Sequence, residues 1–345
     1  MRAIGYSTSL PIEDEHALED IQRPDPDISG IGPRDLIVEV KAVSVNPVDT
    51  KVRRRAGPEG GETHKVLGYD ASGIVRHVGS EVALFEPGDE VFYAGAIGRP
   101  GTNSELHVVD ERIVGTKPRT LSHTEAAALP LTTITAWELL FDGMKVPPRP
   151  VDADASKGET LLVIGGAGGV GSILVQIAKT LTHLTVVATA SRDETRDWCK
   201  AMGADHVIDH HGDMKAQLDA LGLSPRYVAS LTATGDNFET IADLIAPRGV
   251  IAMIDDPGQI DVSQLKTKAL TLHWEFMFTR PAFETEDMIE QHRLLSRIGD
   301  LVDDGIIRTT YNHDGGSIDA ANLRKAHALQ ESGKAIGKTV LTGFS

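Results

Sequence analysis

The sequence predicts an α/β protein: a β-rich half followed by a doubly wound parallel sheet. Three observations carry that prediction. Up to about residue 130 the chain reads as short strands separated by turn residues. From Leu161 onward strands and helices alternate in five or more β–α units, and such a series forms a parallel sheet with helices on both faces. Between the first of those strands and the first helix lies a glycine-rich turn, "GGAGGVG" at 165–171.

In "RDLIVEVKAVSV" residues Leu36, Val38, Val40 and Ala42 fall on one face of a strand, because side chains alternate sides. "YDASGIVRHVG" and "FEPGDEVFYAG" are two more extended runs, the second holding the turn signal Pro-Gly-Asp. "NSELHVVDERIV" is a further strand. "TEAAALPLTTITAWELL" is Ala- and Leu-rich and reads as helix interrupted by Pro130, and "KVPPRPVDADASKGE" as a Pro-rich charged loop. "LLVI" opens the β–α series. Val170, Ile173, Leu174, Ile177, Ala178 and Leu181 then recur at i, i+3, i+4 spacing on one helix face. "LTVVAT", "HVID", "YVASLT" and "VIAMI" are strands; "DETRDWCKAMG", "GDMKAQLDALG" and "NFETIADLIAPRG" are the helices among them. "KALTLHWEFMF" is another extended run. Long helices are expected over 285–305 and in "DAANLRKAHALQESG", before a last strand "KTVLTGF".

The 345 residues carry 34 Lys and Arg against 50 Asp and Glu, a formal charge of −16, which disfavours nucleic acid and anionic membranes as partners. A single cysteine, Cys199, allows neither an internal disulfide nor a Cys-rich zinc site. The N-terminus lacks the long apolar core of a signal peptide, so a cytoplasmic location is expected.

Leu161–Lys179 is uncharged until its last residue, yet its five glycines argue against a membrane helix. A strand, a tight turn and an amphipathic helix explain it better. Gly166, Gly168 and Gly171 fit G-x-G-x-x-G inside a β–α–β unit. The first allows the turn, the second lets the backbone approach a pyrophosphate, and the third lets helix and strand pack closely. Free N–H groups at the helix start favour phosphate, so Gly166, Ala167, Gly168, Gly169, Val170 and Gly171 are expected to bind a dinucleotide in a Rossmann fold. NAD sites place an acid at the end of the second strand. Here that end reads Thr189, Ala190, Ser191, Arg192. Arg192 and Ser191 suit a 2′-phosphate, which selects NADPH. Ser191 with Glu194 also reads as a capping box, and a shift of alignment would make Asp193 the acid of an NAD site.

The chain resembles the medium-chain dehydrogenase/reductase superfamily, in its quinone oxidoreductase-like, "zinc-type alcohol dehydrogenase-like" branch. The resemblance rests on "VSVNPVDTKVR" (43–53), "VLGYDASGIVRHVG" (66–79), "PGDEVFYAG" (87–95), "ALPLTTITAWELL" (128–140), "GGAGGVGSILVQIAK" (165–179), "GADHVIDH" (203–210) and "GKAIGKTVL" (333–341). It implies a β-rich chaperonin-10-like catalytic domain over 1–130, an NADP-binding Rossmann domain over 131–280, and a segment 281–345 returning to the first. The cofactor would lie in the cleft between domains. Metal-dependent relatives place zinc ligands where this chain has Asn46 to Asp49 and Gly68, Tyr69, Asp70, and Asn and Tyr are poor zinc ligands. The expected enzyme is therefore a metal-free, NADPH-dependent reductase of quinones or α,β-unsaturated carbonyls. Those substrates accept hydride without forming a localised alkoxide.

The resemblance makes Asn46 and Tyr69 the catalytic candidates, the phenol as hydrogen-bond or proton donor and the amide as a holder of ribose or substrate oxygen. Asp49 and Asp70 are weaker candidates that orient neighbours. The family tyrosine of enoyl-thioester reductases is missing from "TKVRRRAGPEGG". Thr133 resembles a family threonine beside the nicotinamide, and Lys338 a basic residue approaching the cofactor. Leu231 and Thr232 end a sheet strand, where cofactors bind in such folds. Lys51–Arg55 reads as a solvated loop or as steering charge. His206, His210 and His211 do not converge as a metal site, and Cys199 reads as packing. "LTLHWEFMF" is either a core strand or the edge of a homodimer, as in relatives. A zinc alcohol dehydrogenase and a non-catalytic NADPH-binding sensor remain the alternatives.

Overall fold

The β–α series of the second half forms six parallel strands: β1 (Thr160–Ile164), β2 (Thr185–Thr189), β3 (His206–Ile208), β4 (Tyr227–Ser230), β5 (Val250–Met253) and β6 (Thr271–Trp274). They lie in the order β3-β2-β1-β4-β5-β6, with every pairing parallel. The crossovers run through α1 (Gly169–Leu181), α2 (Asp193–Ala201), α3 (Met214–Leu221) and α4 (Thr234–Leu244). The computed structural model describes residues 1–149 and 158–344, so residues 150–157 of the Pro-rich loop lie outside the described residues.

One apolar core of this unit gathers Leu162, Ile164, Val187, Val228 and Ile251 from the strands, with Leu218, Phe238 and Ile241 from the helices. The expected amphipathic stripe of α1 understates its burial. Residues 171–178 are all buried, because α1 lies within the fold and exposes little beyond its ends. Glu19–Gln22, Arg2–Tyr6 and Lys65–Val66 form a separate small antiparallel sheet.

The chain divides into two compact units, Met1–Ile134 with Phe278–Ser345 and Thr135–Met277, where the sequence reading draws its boundaries at 130/131 and 280/281. In the first unit a seven-stranded sheet is built around Asp35–Ser44. Its neighbours are Ala71–Val78, Leu106–Asp110 and the C-terminal strand Lys338–Thr342. Leu36, Val38, Val40 and Ala42 are buried, but so are Ile37 and Val43. The one-faced alternation breaks because the strand carries two register irregularities and is covered on both sides at its ends.

Lys51–Arg55 is not a loop: Pro47–Arg55 is a helix starting after Asn46. Arg53 is fully buried and donates to the Leu10 carbonyl and the Glu331 carboxylate. Pro130 opens the helix Pro130–Trp137, where its missing N–H leaves no bond unmade.

Candidate functional site

The glycine turn follows directly from its residues. Gly165 has φ 88°, a conformation that disfavours side chains, so the left-handed residue is Gly165 and not Gly166. A Cβ on Gly166 would meet Ala188 Cβ at 2.7 Å and Cys199 Sγ at 3.0 Å. Cys199 thus packs under the turn, and burial raises its thiol to about 11, which removes it as a nucleophile. A Cβ on Gly171 would meet the carbonyl oxygens of Gly165 and Gly166 at 2.4 and 2.7 Å, so helix and strand pack backbone to backbone. Gly168 differs: a Cβ there would meet only the Gly165 oxygen, at 3.5 Å. It is the N-cap of α1, with extended backbone and no side-chain cap, and beyond its chain neighbours no other described residue comes within 4 Å of that Cβ position.

Leu231 and Thr232 follow β4. The Leu231 N–H donates to the Ile164 carbonyl at 3.2 Å, and Thr232 Cγ2 lies 3.1 Å from a Cβ built on Gly165. Both therefore stand at the strand ends beside the turn. Beyond β2, Arg192 is the N-cap of α2, and its N–H donates to Thr195 Oγ1 at 3.2 Å. The expected Ser191–Glu194 capping box is corrected, since the helix starts one residue later than that box requires. The exposed Arg192 side chain pairs with exposed Glu194 at 3.0 Å.

In the first unit the candidate residues meet in one buried polar cluster. Asp70 is its hub. Its Oδ2 accepts from Ser44 Oγ at 2.8 Å, Asn46 Nδ2 at 2.8 Å and Lys338 Nζ at 3.0 Å, and its Oδ1 accepts from the Leu131 N–H at 2.7 Å. Lys338 Nζ also donates to the Val45 carbonyl at 3.0 Å and to Asn46 Oδ1. Asp49 accepts from the Asn46 and Gly68 N–H groups at 2.8 and 3.0 Å. Burial pushes Asp49 up to about 7, with neighbouring Asp70 adding to the shift and these N–H groups and Lys338 opposing it.

Gly68, at φ 112° and with a Cβ position 2.4 Å from Thr102 Oγ1, is the tight bend that leads into Tyr69. Tyr69 is 2% exposed and stacks edge-on against Phe278 at 5.3 Å. Burial first, and Asp49 second, hold its phenol above the ordinary value, so it carries its proton at neutral pH. Its phenolic O–H makes no hydrogen bond to another described residue. Thr133 is fully buried, and its hydroxyl has no hydrogen-bond partner among the described residues.

The structure thus brings Asn46, Asp49, Asp70 and Lys338 together, with Tyr69 adjoining. Sequence reasoning missed Asp70 as the hub and Lys338 as its counter-ion; no local motif links positions 268 residues apart.

A parallel sheet in that order, headed by that turn, defines a dinucleotide-binding protein. Comparison with known proteins extends this. Residues 32–119 match the alcohol dehydrogenase GroES-like domain family and residues 169–292 the zinc-binding dehydrogenase family. A zinc-type alcohol dehydrogenase-like protein of Staphylococcus aureus (strain COL) is 39% identical over 99% of both chains. The mitochondrial NAD(P)H oxidoreductase RTN4IP1 of Mus musculus is 31% identical over 90% of this chain and 82% of its own. A solved structure from Rhizobium etli CFN 42, named for zinc-dependent alcohol dehydrogenases, is 55% identical, covers 100% of this chain and 98% of its own, and superposes with a TM-score of 0.94. The chain belongs to the medium-chain dehydrogenase/reductase superfamily, in the branch of zinc-type alcohol dehydrogenase-like proteins and quinone oxidoreductases.

The family name implies zinc, and the residues do not fit it. The cluster holds no Cys or His, its Asp70 Oδ2 already accepts from an ammonium at 3.0 Å, and zinc–oxygen bonds are about 2.0–2.2 Å. Among the described residues, no group of three or more His, Cys, Asp or Glu is arranged to hold a metal ion; His206, His210 and His211 form none. Among them, too, no helix is long and apolar enough to cross a membrane.

Proposed function

We propose that the chain is an NADPH-dependent, metal-independent reductase that delivers hydride to a quinone or an α,β-unsaturated carbonyl. One observation carries the reading: Gly165, Gly166 and Gly171 of the glycine turn lie close against described protein atoms, whereas Gly168 is left with room. A ligand that approaches the backbone there accounts for that room, and the α1 N–H groups suit its phosphates. Bound NADPH supplies the hydride.

Gly166 to Gly171 hold the pyrophosphate with backbone N–H groups, while Leu231, Thr232 and the Thr133 hydroxyl, which has no partner among the described residues, serve the rest of the cofactor. Arg192 and Ser191 take the 2′-phosphate. The present Arg192–Glu194 pair is a surface contact of small energy, which a phosphate dianion displaces. Arg192→Ala is therefore expected to raise KM for NADPH by about tenfold or more, with KM for NADH changed less than about twofold. Equal losses for both cofactors in steady-state assays would remove the phosphate assignment.

Tyr69 offers the substrate a phenolic O–H that no described residue uses, held protonated by burial. When hydride arrives at a quinone ring or an enone β-carbon, negative charge moves to the carbonyl oxygen, where one donor stabilises it and supplies the proton. Asn46 helps define the floor of this site from within the cluster. Tyr69→Phe is expected to lower kcat by about a hundredfold with the NADPH KM unchanged; an unchanged kcat would give the proton to solvent alone.

The deciding experiment follows NADPH and NADH oxidation against a panel of quinones and enones. Tight NADPH binding without turnover would favour the sensor, and zinc-dependent alcohol oxidation the zinc enzyme. The same reading makes the molecule a homodimer joined along β6, the sheet edge where Trp274 and nearby Phe276 are exposed.

A further inference from the structure

The reading above leaves the Lys338 ammonium with nothing to do, although its surroundings are complete. Its three N–H donors meet three acceptors, the Val45 carbonyl, Asn46 Oδ1 and Asp70 Oδ2. The residue is 3% exposed, and no donor remains for a ribose or a phosphate. The three acceptors come from two separate pieces of chain: the end of the strand Asp35–Ser44 where it enters the helix Pro47–Arg55, and the bend that carries Tyr69. Lys338 itself opens the C-terminal strand.

We propose that Lys338 is a fixed internal cation that positions Asn46 and Tyr69, and is not a ligand of the cofactor. It draws an anion and two neutral oxygens to one point, which is the organising task a divalent ion performs in a metal site. A buried ion pair adds little stability over apolar groups of the same volume; what it does supply is placement. By donating to Asn46 Oδ1, Lys338 dictates which way that amide faces, so that Nδ2 donates to Asp70 at 2.8 Å. By holding Asp70 Oδ2 it fixes the residue next to Tyr69. The Asp70 backbone is held in turn by Thr102 Oγ1 at 3.0 Å, and its Oδ1 by the Leu131 N–H at 2.7 Å. The bonds from Lys338, Asn46, Thr102 and Leu131 all end on Asp70, the residue that follows Tyr69, so the backbone that carries the phenol is tied to a charge 268 positions from Asp70 in sequence.

The kinetic part of the test rests on the reductase reading; the binding and stability parts do not. Lys338→Ala leaves space for a small alkylammonium. Three quantities are measured with ethylammonium chloride and with sodium chloride at equal ionic strength: thermal midpoint, NADPH Kd by calorimetry, and kcat for quinone reduction. The expected result is a lowered midpoint and a kcat at least about tenfold lower, with NADPH Kd within about twofold of the parent protein. Ethylammonium raises midpoint and kcat of the variant, and leaves the parent unchanged. The proposal is overturned by a tenfold weaker NADPH Kd with kcat retained, by ethylammonium raising neither quantity, or by zinc restoring both. If Lys338→Ala does not fold, Lys338→Arg decides: its planar fork cannot reproduce the three-way contact, so kcat falls while NADPH Kd holds, and an unchanged kcat overturns the proposal. Were the parent to reduce no quinone or enone, the reductase reading would fail, while the midpoint and Kd would still decide the place of Lys338.

Discussion

Asp70→Asn is expected to destabilise the protein by about 3–5 kcal/mol, because it takes from the buried Lys338 ammonium the one carboxylate it bonds among the described residues. The substitution keeps the shape of the side chain and removes only charge and one acceptor. In the native cluster three donors point at Oδ2, from Ser44, Asn46 and Lys338, and one backbone N–H points at Oδ1. An amide has one oxygen to offer, and whichever way it turns, its N–H₂ faces donors. At about 2–4 °C per kcal/mol for a domain of this size, the midpoint falls by roughly 10 °C. Pairing Asp70→Asn with Lys338→Met removes the stranded charge as well and recovers part of the loss, which a double-mutant cycle reads directly. A midpoint within about 2 °C of the parent would mean that the ammonium finds water or another acceptor, and Asp70 would not be the hub of the cluster.

The contrast between the two units explains what was legible in the chain. The glycine turn, its strand and its helix occupy 22 consecutive residues, Thr160 to Leu181, so their local chemistry and their structure coincide. Strand alternation was equally local, and it misled only where both faces are covered, as at Ile37 and Val43. The polar cluster is different. Its members lie at 44–49, 70, 131 and 338, and each looks ordinary alone: an Asn before a Pro, an Asp after a Tyr, a Lys opening a strand. Their meaning comes from the antiparallel pairing of Lys338–Thr342 with Asp35–Ser44, which no short-range periodicity encodes. The run Lys51–Arg55 shows the same limit. Solvation is the ordinary fate of such a run, yet α-helical geometry turns one of its arginines into the core.

The second large effect separates packing from binding within one motif. Gly171→Ala is expected to disrupt the turn itself, since its methyl would sit 2.4 and 2.7 Å from two carbonyl oxygens and 2.8 Å from a carbonyl carbon. These neighbours are backbone atoms and cannot swing aside, so α1 must move off the strand at a cost of about 1–3 kcal/mol or more. Both the thermal midpoint and nucleotide affinity should fall. Gly168→Ala is expected to act otherwise. Its methyl meets a single oxygen at 3.5 Å, an ordinary contact, and its backbone is extended, so the apo protein should keep its midpoint within about 2 °C. The methyl would nonetheless occupy the space into which a pyrophosphate must come, and NADPH Kd should weaken by about a hundredfold. Stability and affinity are therefore lost together at one glycine and come apart at its neighbour. A Gly168→Ala variant that binds NADPH as tightly as the parent would show that the room beside this residue serves no ligand, and the nucleotide assignment would fall with it.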